Sequence, residues 1–178
     1  MGTRTAIFKE MSDGSYKGIY VHSDGYISYT GAVLDKYYTG NDKIEALIEN
    51  KKPISTLGEY AELVNIREER DKFLVRNEAG FKRYTTTNYD SDNCYNEYYK
   101  AENLEEIINF QYLTYDEEDN VQGFFAGKEF VPFRGSDNNG YLYLKDKAGQ
   151  WYVSYMVNDK GDMSAFEPLS TVLKTAWI

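Results

Sequence analysis

The chain has 178 residues with 20 basic and 29 acidic side chains, and its net charge at pH 7 is −9. This length suits one domain that can bury a core without covalent cross-links. The one cysteine, Cys94, excludes a disulfide within the chain. No apolar run is long enough to cross a membrane, and no basic segment followed by an apolar one opens the sequence. We therefore expect a cytoplasmic protein with no membrane partner.

The first predicted elements form an antiparallel hairpin. Strands are predicted at Thr5–Glu10 and Tyr16–His22, where β-rich segments flank a four-residue polar turn. The second strand ends at Ser23-Asp24-Gly25, and Gly25 suits a positive φ there because glycine has no Cβ.

Short helices are predicted after this hairpin, because apolar residues recur there at a spacing of three or four. A first helix is predicted at Ser28–Tyr38, with Thr30 as its cap, and Gly40 ends it. A second helix is predicted at Lys43–Asn50, and a third and shorter one at Glu59–Val64.

From residue 67 onward the sequence is mostly typical of strands. The predicted strands are Phe73–Arg76, Phe81–Thr86, Tyr112–Tyr115, Val121–Ala126, Glu129–Phe133, Tyr141–Lys145 and Gln150–Val157. Two further short helices are predicted, at Ser170–Thr175 and at Leu104–Phe110, the latter with Leu104, Ile107 and Ile108 facing inward.

Together these elements predict an α+β fold with antiparallel β-sheets and a few short helices clustered in the N-terminal third. No linker long enough to separate domains is visible. We therefore expect one domain over 1–178, with an N-terminal part at 1–66 and a β-rich part at 67–178.

The negative charge is concentrated in one segment, Asp90–Asn120, which we call the acidic segment. It contains ten acidic residues and one basic residue, and the rest of the chain has 19 of each. Such a field repels bare DNA and attracts basic surfaces, although a solvated, solubilising face is the plainer interpretation. The partner-binding residues expected here are Glu97, Glu102, Glu105, Glu106, Asp116, Glu117, Glu118 and Asp119.

The only histidine, His22, is the candidate for acid–base chemistry. If the strand continues, Asp24 shares its face and orients the imidazole, and Arg4 supplies a cation for a phosphate. With Tyr26 added, these four residues would form the catalytic set of a metal-free ribonuclease. The competing interpretation is structural: Asp24 forms a side-chain turn with Gly25 and His22 packs at the sheet edge.

Other chemistries lack a matching pattern. One histidine and one cysteine make no zinc site, and the acidic run at 116–120 lacks the spacing of a calcium loop. We therefore expect no metal and no cofactor. The 18 tyrosines could stack bases, but the sequence has no clustered basic groove to accompany them.

The first 59 residues match a pattern that occurs in mobile elements. The matching residues are Thr3-Arg4-Thr5-Ala6-Ile7, Ile19-Tyr20-Val21-His22-Ser23-Asp24-Gly25-Tyr26, Gly31, Leu34, Tyr37, Lys43, Leu47-Ile48 and Ser55-Thr56-Leu57-Gly58. They resemble a family of small phage, prophage and conjugative-element proteins with a TRS-x-I strand and an IYCHxDGYP strand. The segment Tyr141–Val153 is a weaker echo of that family's late hairpin. Val21 stands where the family usually has cysteine, and Ile27 where it has proline, which excludes a cysteine nucleophile at that place.

Proteins similar to this one include anti-CRISPR proteins that act on type II effector nucleases, some by having the guide RNA shortened. The resemblance implies an inhibitor in the cytoplasm of a bacterial host, with the effector nuclease and its guide RNA as partner. A first alternative is a ribonuclease or guide-RNA trimming factor that uses Arg4, His22 and Asp24. A second alternative is a module that binds a nucleotide signal.

Overall fold

A computed structural model of the chain describes residues 4–52, 54–65, 84–87, 99–109, 114–116, 121–126, 129–132, 139–157 and 162–175. The strands are β1 (Arg4–Glu10), β2 (Tyr16–Val21), β3 (Tyr60–Asn65), β4 (Tyr84–Thr87), β5 (Tyr99–Ala101), β6 (Thr114–Asp116), β7 (Val121–Ala126), β8 (Glu129–Pro132), β9 (Asn139–Lys145), β10 (Trp151–Tyr155) and β11 (Glu167–Pro168). The helices are α1 (Ala32–Tyr37), α2 (Asn41–Glu49), α3 (Leu104–Asn109) and α4 (Leu169–Thr175), and a π-helical turn, Ile27–Gly31, precedes α1. Within the described ranges, no helix is long and apolar enough to cross a membrane.

The main sheet has six strands in the order β11-β10-β9-β1-β2-β5. The hairpins β1–β2 and β9–β10 are antiparallel, as predicted, and β5 pairs antiparallel with β2. However, β1 pairs in parallel with β9, and β3 pairs in parallel with β4. The α+β class is therefore confirmed, and the sheets are mostly antiparallel with two parallel pairs that were not predicted. The reason is that both parallel pairs join segments distant in sequence, which local turn signals cannot reveal.

Helices are not confined to the N-terminal third, because α3 and α4 lie far beyond it. A third sheet, β6-β7-β8, is an antiparallel meander close to the predicted strand positions. The predicted strand Phe73–Arg76 lies outside the described residues, and of Phe81–Thr86 only residues 84–86 are described.

The main sheet buries side chains on both faces, since successive strand residues alternate between them. Ile7, Ile19 and Tyr143 face one layer, which contains α1, α2 and α4. Phe8 and Tyr20 belong to the layer on the opposite face, beside β5 and α3. Burial on two faces explains why β1 is buried over almost its whole length.

The predicted helix at Glu59–Val64 is wrong, because residues Tyr60–Asn65 form strand β3. The ring of Tyr60 lies 5.2 Å from that of Tyr84 on the paired strand. The hydroxyl of Thr85 also donates to the carbonyl of Tyr60 at 2.7 Å. Contacts with a strand more than 20 positions away thus determine the conformation of a segment whose local pattern favours a helix.

Gly18 lies directly against an aromatic ring on the sheet face that carries Phe8 and Tyr20. Gly18 lies opposite Phe8, and a Cβ at Gly18 would stand 2.6 Å from the Phe8 ring. Because Gly18 has no side chain, the Phe8 ring can lie across the strand there. It stacks on the ring of Tyr99, with 5.8 Å between the two ring centroids. Gly18 is therefore required by packing and not by its φ angle.

We expect Gly18→Ala to lower the free energy of unfolding by about 1–3 kcal/mol, because the added methyl overpacks the site under Phe8. Gly140→Ala is the matched control, since nothing lies within 4 Å of its Cβ position. It should change stability by less than about 0.5 kcal/mol. Denaturant unfolding measures both variants, and equal stabilities would contradict the overpacking argument.

The first helical segment begins one residue before the predicted Ser28 and ends one residue before the predicted Tyr38. Thr30 is not its cap, contrary to the prediction. It lies inside the π-helical turn, and its hydroxyl donates to the Asp24 carbonyl at 2.6 Å. The prediction failed because the chain enters the helix at Tyr26, in extended conformation, without a side-chain cap.

A buried lysine of strand β9 hydrogen-bonds to the segment that connects α1 and α2. Lys145 is fully buried, and its Nζ donates to the carbonyls of Tyr38, at 2.8 Å, and Gly40, at 2.6 Å. The indole Nε1 of Trp151 donates to the same Tyr38 carbonyl at 2.9 Å. These donors satisfy carbonyl groups that the end of a helix leaves without intrahelical partners.

Candidate functional site

The N-terminal candidate site lies where β1 begins and β2 ends. Thr5 pairs with Val21, and Arg4 and His22 are the residues next to this pair at the end of the hairpin. Arg4 is only 7% exposed and His22 is half-buried. The fold thus brings together two of the four predicted catalytic residues.

The residue that orients the His22 imidazole is Tyr20. Its hydroxyl lies 3.0 Å from Nδ1 of His22, and the two rings meet edge-on with centroids 6.0 Å apart. Tyr20 is almost fully buried, so its hydroxyl is a fixed reference for the imidazole. Sequence analysis missed this role, although the signal was available: a residue two positions back on a strand shares the same face.

Backbone hydrogen bonds fix the position of His22. Its amide donates to the carbonyl of Ile54 at 2.8 Å, and the next amide, of Ser23, donates to Ser55 at 2.8 Å. In return, the amide of Ile54 donates to the Tyr20 carbonyl at 2.9 Å. The end of β2 is therefore held on both sides, by β1 and by the connector that contains Ile54.

Asp24 does not orient His22, and the predicted pairing of these two residues is wrong. The strand ends before Asp24, which has a φ of +59°, so the alternation that would have placed both side chains on one face stops there. The positive φ was predicted for Gly25, and this prediction is wrong, because the residue with a positive φ is Asp24. Within the described residues, Asp24 contributes its carbonyl as acceptor for Thr30, and no carboxylate contact with His22 is present.

The turn at residues 23–25 is hydrogen-bonded to a side chain of the main sheet. The hydroxyl of Tyr143, in β9, donates to the Gly25 carbonyl at 2.7 Å. Tyr26, the fourth predicted residue, is 37% exposed and lies with its ring centroid 6.3 Å from that of Tyr29. The structure therefore places Tyr26 on the surface beside another tyrosine.

The electrostatics of the site favour the neutral form of His22. Burial lowers the pKa of the His22 imidazole, and the nearby positive charge of Arg4 lowers it further. A neutral imidazole has one donor and one acceptor nitrogen, and the hydrogen bond at Nδ1 determines which is which. The arrangement can therefore accept a proton or donate a hydrogen bond, depending on the tautomer.

The acidic segment is described only in part. Glu102, Glu105 and Glu106 are all exposed, around helix α3. Asp116 lies in β6, and the remaining predicted residues, Glu97, Glu117, Glu118 and Asp119, are outside the described residues. The three described glutamates therefore present their charge to solvent, as the prediction required.

Two of these positions also shape the start of α3. The amide of Glu106 donates to the side-chain carbonyl of Asn103 at 2.9 Å, so Asn103 caps the helix. The carboxylate of Glu106 accepts from the amide of Glu102, the residue that precedes the cap. Glu106 thus has a structural role, whereas Glu105 has none of these contacts.

Leu104 is 43% exposed, and the prediction that it faces inward is wrong. Helix α3 makes fewer than two turns, and it reaches the core through Ile107, which is fully buried, and partly through Ile108. Leu104 is the first residue of the helix and projects into solvent among the glutamates. Helical spacing alone could not show that only one turn contacts the sheet.

The described residues contain no group of three or more histidine, cysteine, aspartate or glutamate side chains that could hold a metal ion. The comparisons with family models, with curated proteins and with solved structures found no match to the chain. The function must therefore be argued from the residues and contacts above.

Proposed function

We propose that the protein inhibits a host defence nuclease, a type II CRISPR effector loaded with its guide RNA, by binding it directly through the acidic segment. The observation behind this proposal is that the whole net charge of −9 falls in Asp90–Asn120, and that the described glutamates of this segment are all exposed. Such an inhibitor would act in the cytoplasm of a bacterial host. The resemblance of Met1–Glu59 to mobile-element proteins indicates which target to test first.

The surface around α3 has the composition of a protein-binding surface. Leu104 is an exposed apolar side chain, and Glu102 and Glu105 lie on either side of it in the chain. Protein interfaces commonly combine a small apolar centre with a polar rim. Ile107, Tyr99 and Ala101 share one buried cluster, so the core holds the short helix and its charges in place.

The proposed partner has a complementary charge. A nuclease that holds a guide RNA and its target needs a groove rich in lysine and arginine to neutralise phosphates. Carboxylates on a rigid surface can occupy the same groove in place of phosphates, and the opposite charges accelerate the encounter. Binding of this kind should weaken as salt rises, because added ions screen exposed charges.

Reversing the charges beside Leu104 tests the proposal. We expect Glu102→Lys combined with Glu105→Lys to weaken binding to the guide-loaded effector by about 10- to 100-fold at low salt, because like charges across an interface are costly. Glu106 is left in place, since it caps α3. Affinity by surface plasmon resonance and DNA cleavage by the effector are the two measurements.

The matched control combines Asp35→Lys with Asp42→Lys, which changes the net charge by the same amount at exposed positions on α1 and α2. We expect this control to bind within about threefold of the unmodified protein at moderate salt, where distant charges are screened. Equal losses in both variants would indicate a general charge effect. An α3 variant that still inhibits fully would refute a role for this surface.

A further inference from the structure

We infer that the groove between helix α2 and the β1–β2 hairpin, which we call the α2 groove, binds an arginine side chain of a protein partner. This groove has a volume of about 90 Å³ and is lined by Met11, Lys17, Glu45, Ile48 and Glu49. It contains no residue of the acidic segment, so the site stands whether or not the inhibitor proposal holds.

Two carboxylates stand at the rim of the α2 groove. Glu45 and Glu49 lie four residues apart in α2, so their side chains occupy the same face of the helix. Both side chains reach solvent, being 42% and 52% exposed. Their described ion pairs use the Oε1 atoms, and a carboxylate can accept hydrogen bonds on both of its oxygens. The rim therefore offers two acceptor groups to a ligand that enters from solvent.

The hairpin holds one of these carboxylates firmly and the other loosely. Lys9 in β1 is only 5% exposed, and its Nζ lies 3.1 Å from Oε1 of Glu45, which fixes the position of Glu45. The Nζ of Lys17 lies 3.4 Å from Oε1 of Glu49, and both of these side chains reach solvent. Exposed ion pairs of this kind contribute little to stability, so a ligand can approach Glu49 at small cost.

The lining of the α2 groove also includes apolar surface. It is formed by Ile48, which is buried, and by Met11, which is half-buried. Long charged side chains pack their aliphatic stems on such surfaces and keep the charged head at a polar rim. A cavity of this volume holds several water molecules or the end of one side chain. Its size and lining thus suit an aliphatic stem that carries a cationic head.

The balance of charge at the rim favours a guanidinium over a simple cation. Lys9 and Lys17 offset the charges of Glu45 and Glu49, so a cation gains little from the local field. Affinity must then come from directional hydrogen bonds. A guanidinium presents five donors in a planar fork that fits carboxylates, and it is more weakly hydrated than an ammonium group. The occupant we assign is therefore an arginine, and a basic partner of the kind proposed above would supply one.

Titration with a blocked arginine tests the site without any nuclease. The probe is N-acetylarginine methylamide, and the control probe is N-acetylcitrulline methylamide, which has nearly the same shape but no charge. Proton–nitrogen NMR spectra at constant ionic strength follow the amide signals of α2 and β2. We expect saturable shifts at Glu45, Ile48 and Glu49 with a Kd of about 1–10 mM for the arginine compound, and binding at least about tenfold weaker for the citrulline compound.

Two matched variants of α2 show whether the rim carboxylates bind the arginine. Glu49→Gln keeps the shape of the rim and should weaken binding of the arginine compound by about tenfold, because it removes a charge-assisted hydrogen bond. Asp42→Asn is the control, since Asp42 is an exposed acid of the same helix that does not line the groove, and it should stay within about twofold. Glu45 is left unchanged because it pairs with buried Lys9.

A further probe distinguishes a protein side chain from a small molecule. Unblocked arginine should bind more weakly than the blocked compound, because its carboxylate approaches Glu45 and Glu49. Tighter binding of unblocked arginine would overturn the assignment to a protein side chain. The proposal would also be overturned by the absence of shifts at the α2 groove, by equal shifts with the citrulline compound, or by unchanged affinity of a folded Glu49→Gln variant. These results are independent of the inhibitor proposal, which is tested on the acidic segment.

Discussion

Replacing Lys145 with alanine is expected to lower the free energy of unfolding by about 3–5 kcal/mol, the largest effect of any single substitution considered for this protein. The Nζ group donates to the carbonyls of Tyr38 and Gly40, and both would lose this donor. The aliphatic stem is fully buried as well, so its removal leaves a cavity. In a chain of this size the loss corresponds to a melting temperature lower by about 10 °C.

Lys145→Met separates the two contributions. Methionine keeps most of the buried volume but removes the ammonium group, so we expect a smaller loss of about 1–3 kcal/mol. Exposed Lys147 lies two positions away, and Lys147→Ala should stay within about 0.5 kcal/mol of the unmodified protein. Thermal and denaturant unfolding rank the three variants.

A methionine variant at least as stable as the unmodified protein would contradict this account. Burial, with Lys9 as a second cause, lowers the pKa of Lys145, which means that its charged form is penalised in the folded state. If the free-energy cost of burying this charge exceeded the free energy gained from the two hydrogen bonds, an apolar side chain at position 145 would make the protein more stable.

Raising the pH above 10 is expected to destabilise the protein by about 3 kcal/mol between pH 9 and pH 11. Burial is the main cause that raises the pKa of Tyr38 and of Tyr143, and Tyr143 is the more deeply buried of the two. In the unfolded chain both tyrosines lose their protons near pH 10, whereas in the folded chain they keep them. The stability that they contribute is therefore complete below pH 10 and is lost as the pH rises toward their folded pKa values. Each group contributes a slope of about 1.4 kcal/mol per pH unit.

Tyr143→Phe should reduce that slope by about half, because phenylalanine does not titrate. The variant should also lose about 1–3 kcal/mol at neutral pH, since the carbonyl of Gly25 loses its donor. Lys145 acts in the opposite direction, because its lowered pKa makes stability rise as the pH approaches 10.5. Unfolding free energies measured from pH 7 to pH 11 test the sign, and a stability that is constant above pH 10 would contradict the burial of these hydroxyls.

Local signals predicted the parts of the fold that depend on neighbouring residues. Both hairpins, β1–β2 and β9–β10, were found because polar turns separate alternating strands, and α2 was found from its apolar spacing. The parallel pairing of β1 with β9 was not predictable, since it joins Ala6 to Leu142 across most of the chain. Strand β3 was mistaken for a helix for the same reason, because its partner β4 lies far along the sequence.

The candidate site shows the same division. His22 and Arg4 were identified by residue type, and the register of the predicted hairpin places each of them next to the pair Thr5 and Val21. The partner of the imidazole was misassigned, because Asp24 leaves the strand at a positive φ and Tyr20 takes the role instead. Leu104 was assigned to the core by spacing, and only the shortness of α3 leaves it exposed.

The most direct test of the central claim is to mix the purified protein with a type II effector loaded with its guide RNA, at low salt, and to measure complex formation together with the length of the RNA. The account predicts a stable complex that contains intact guide RNA and that weakens as salt is added. The absence of a complex with the protein in excess would contradict it. Shortened guide RNA that regains full length with His22→Ala would also contradict it, and would assign enzymatic cleavage to the Arg4 and His22 site.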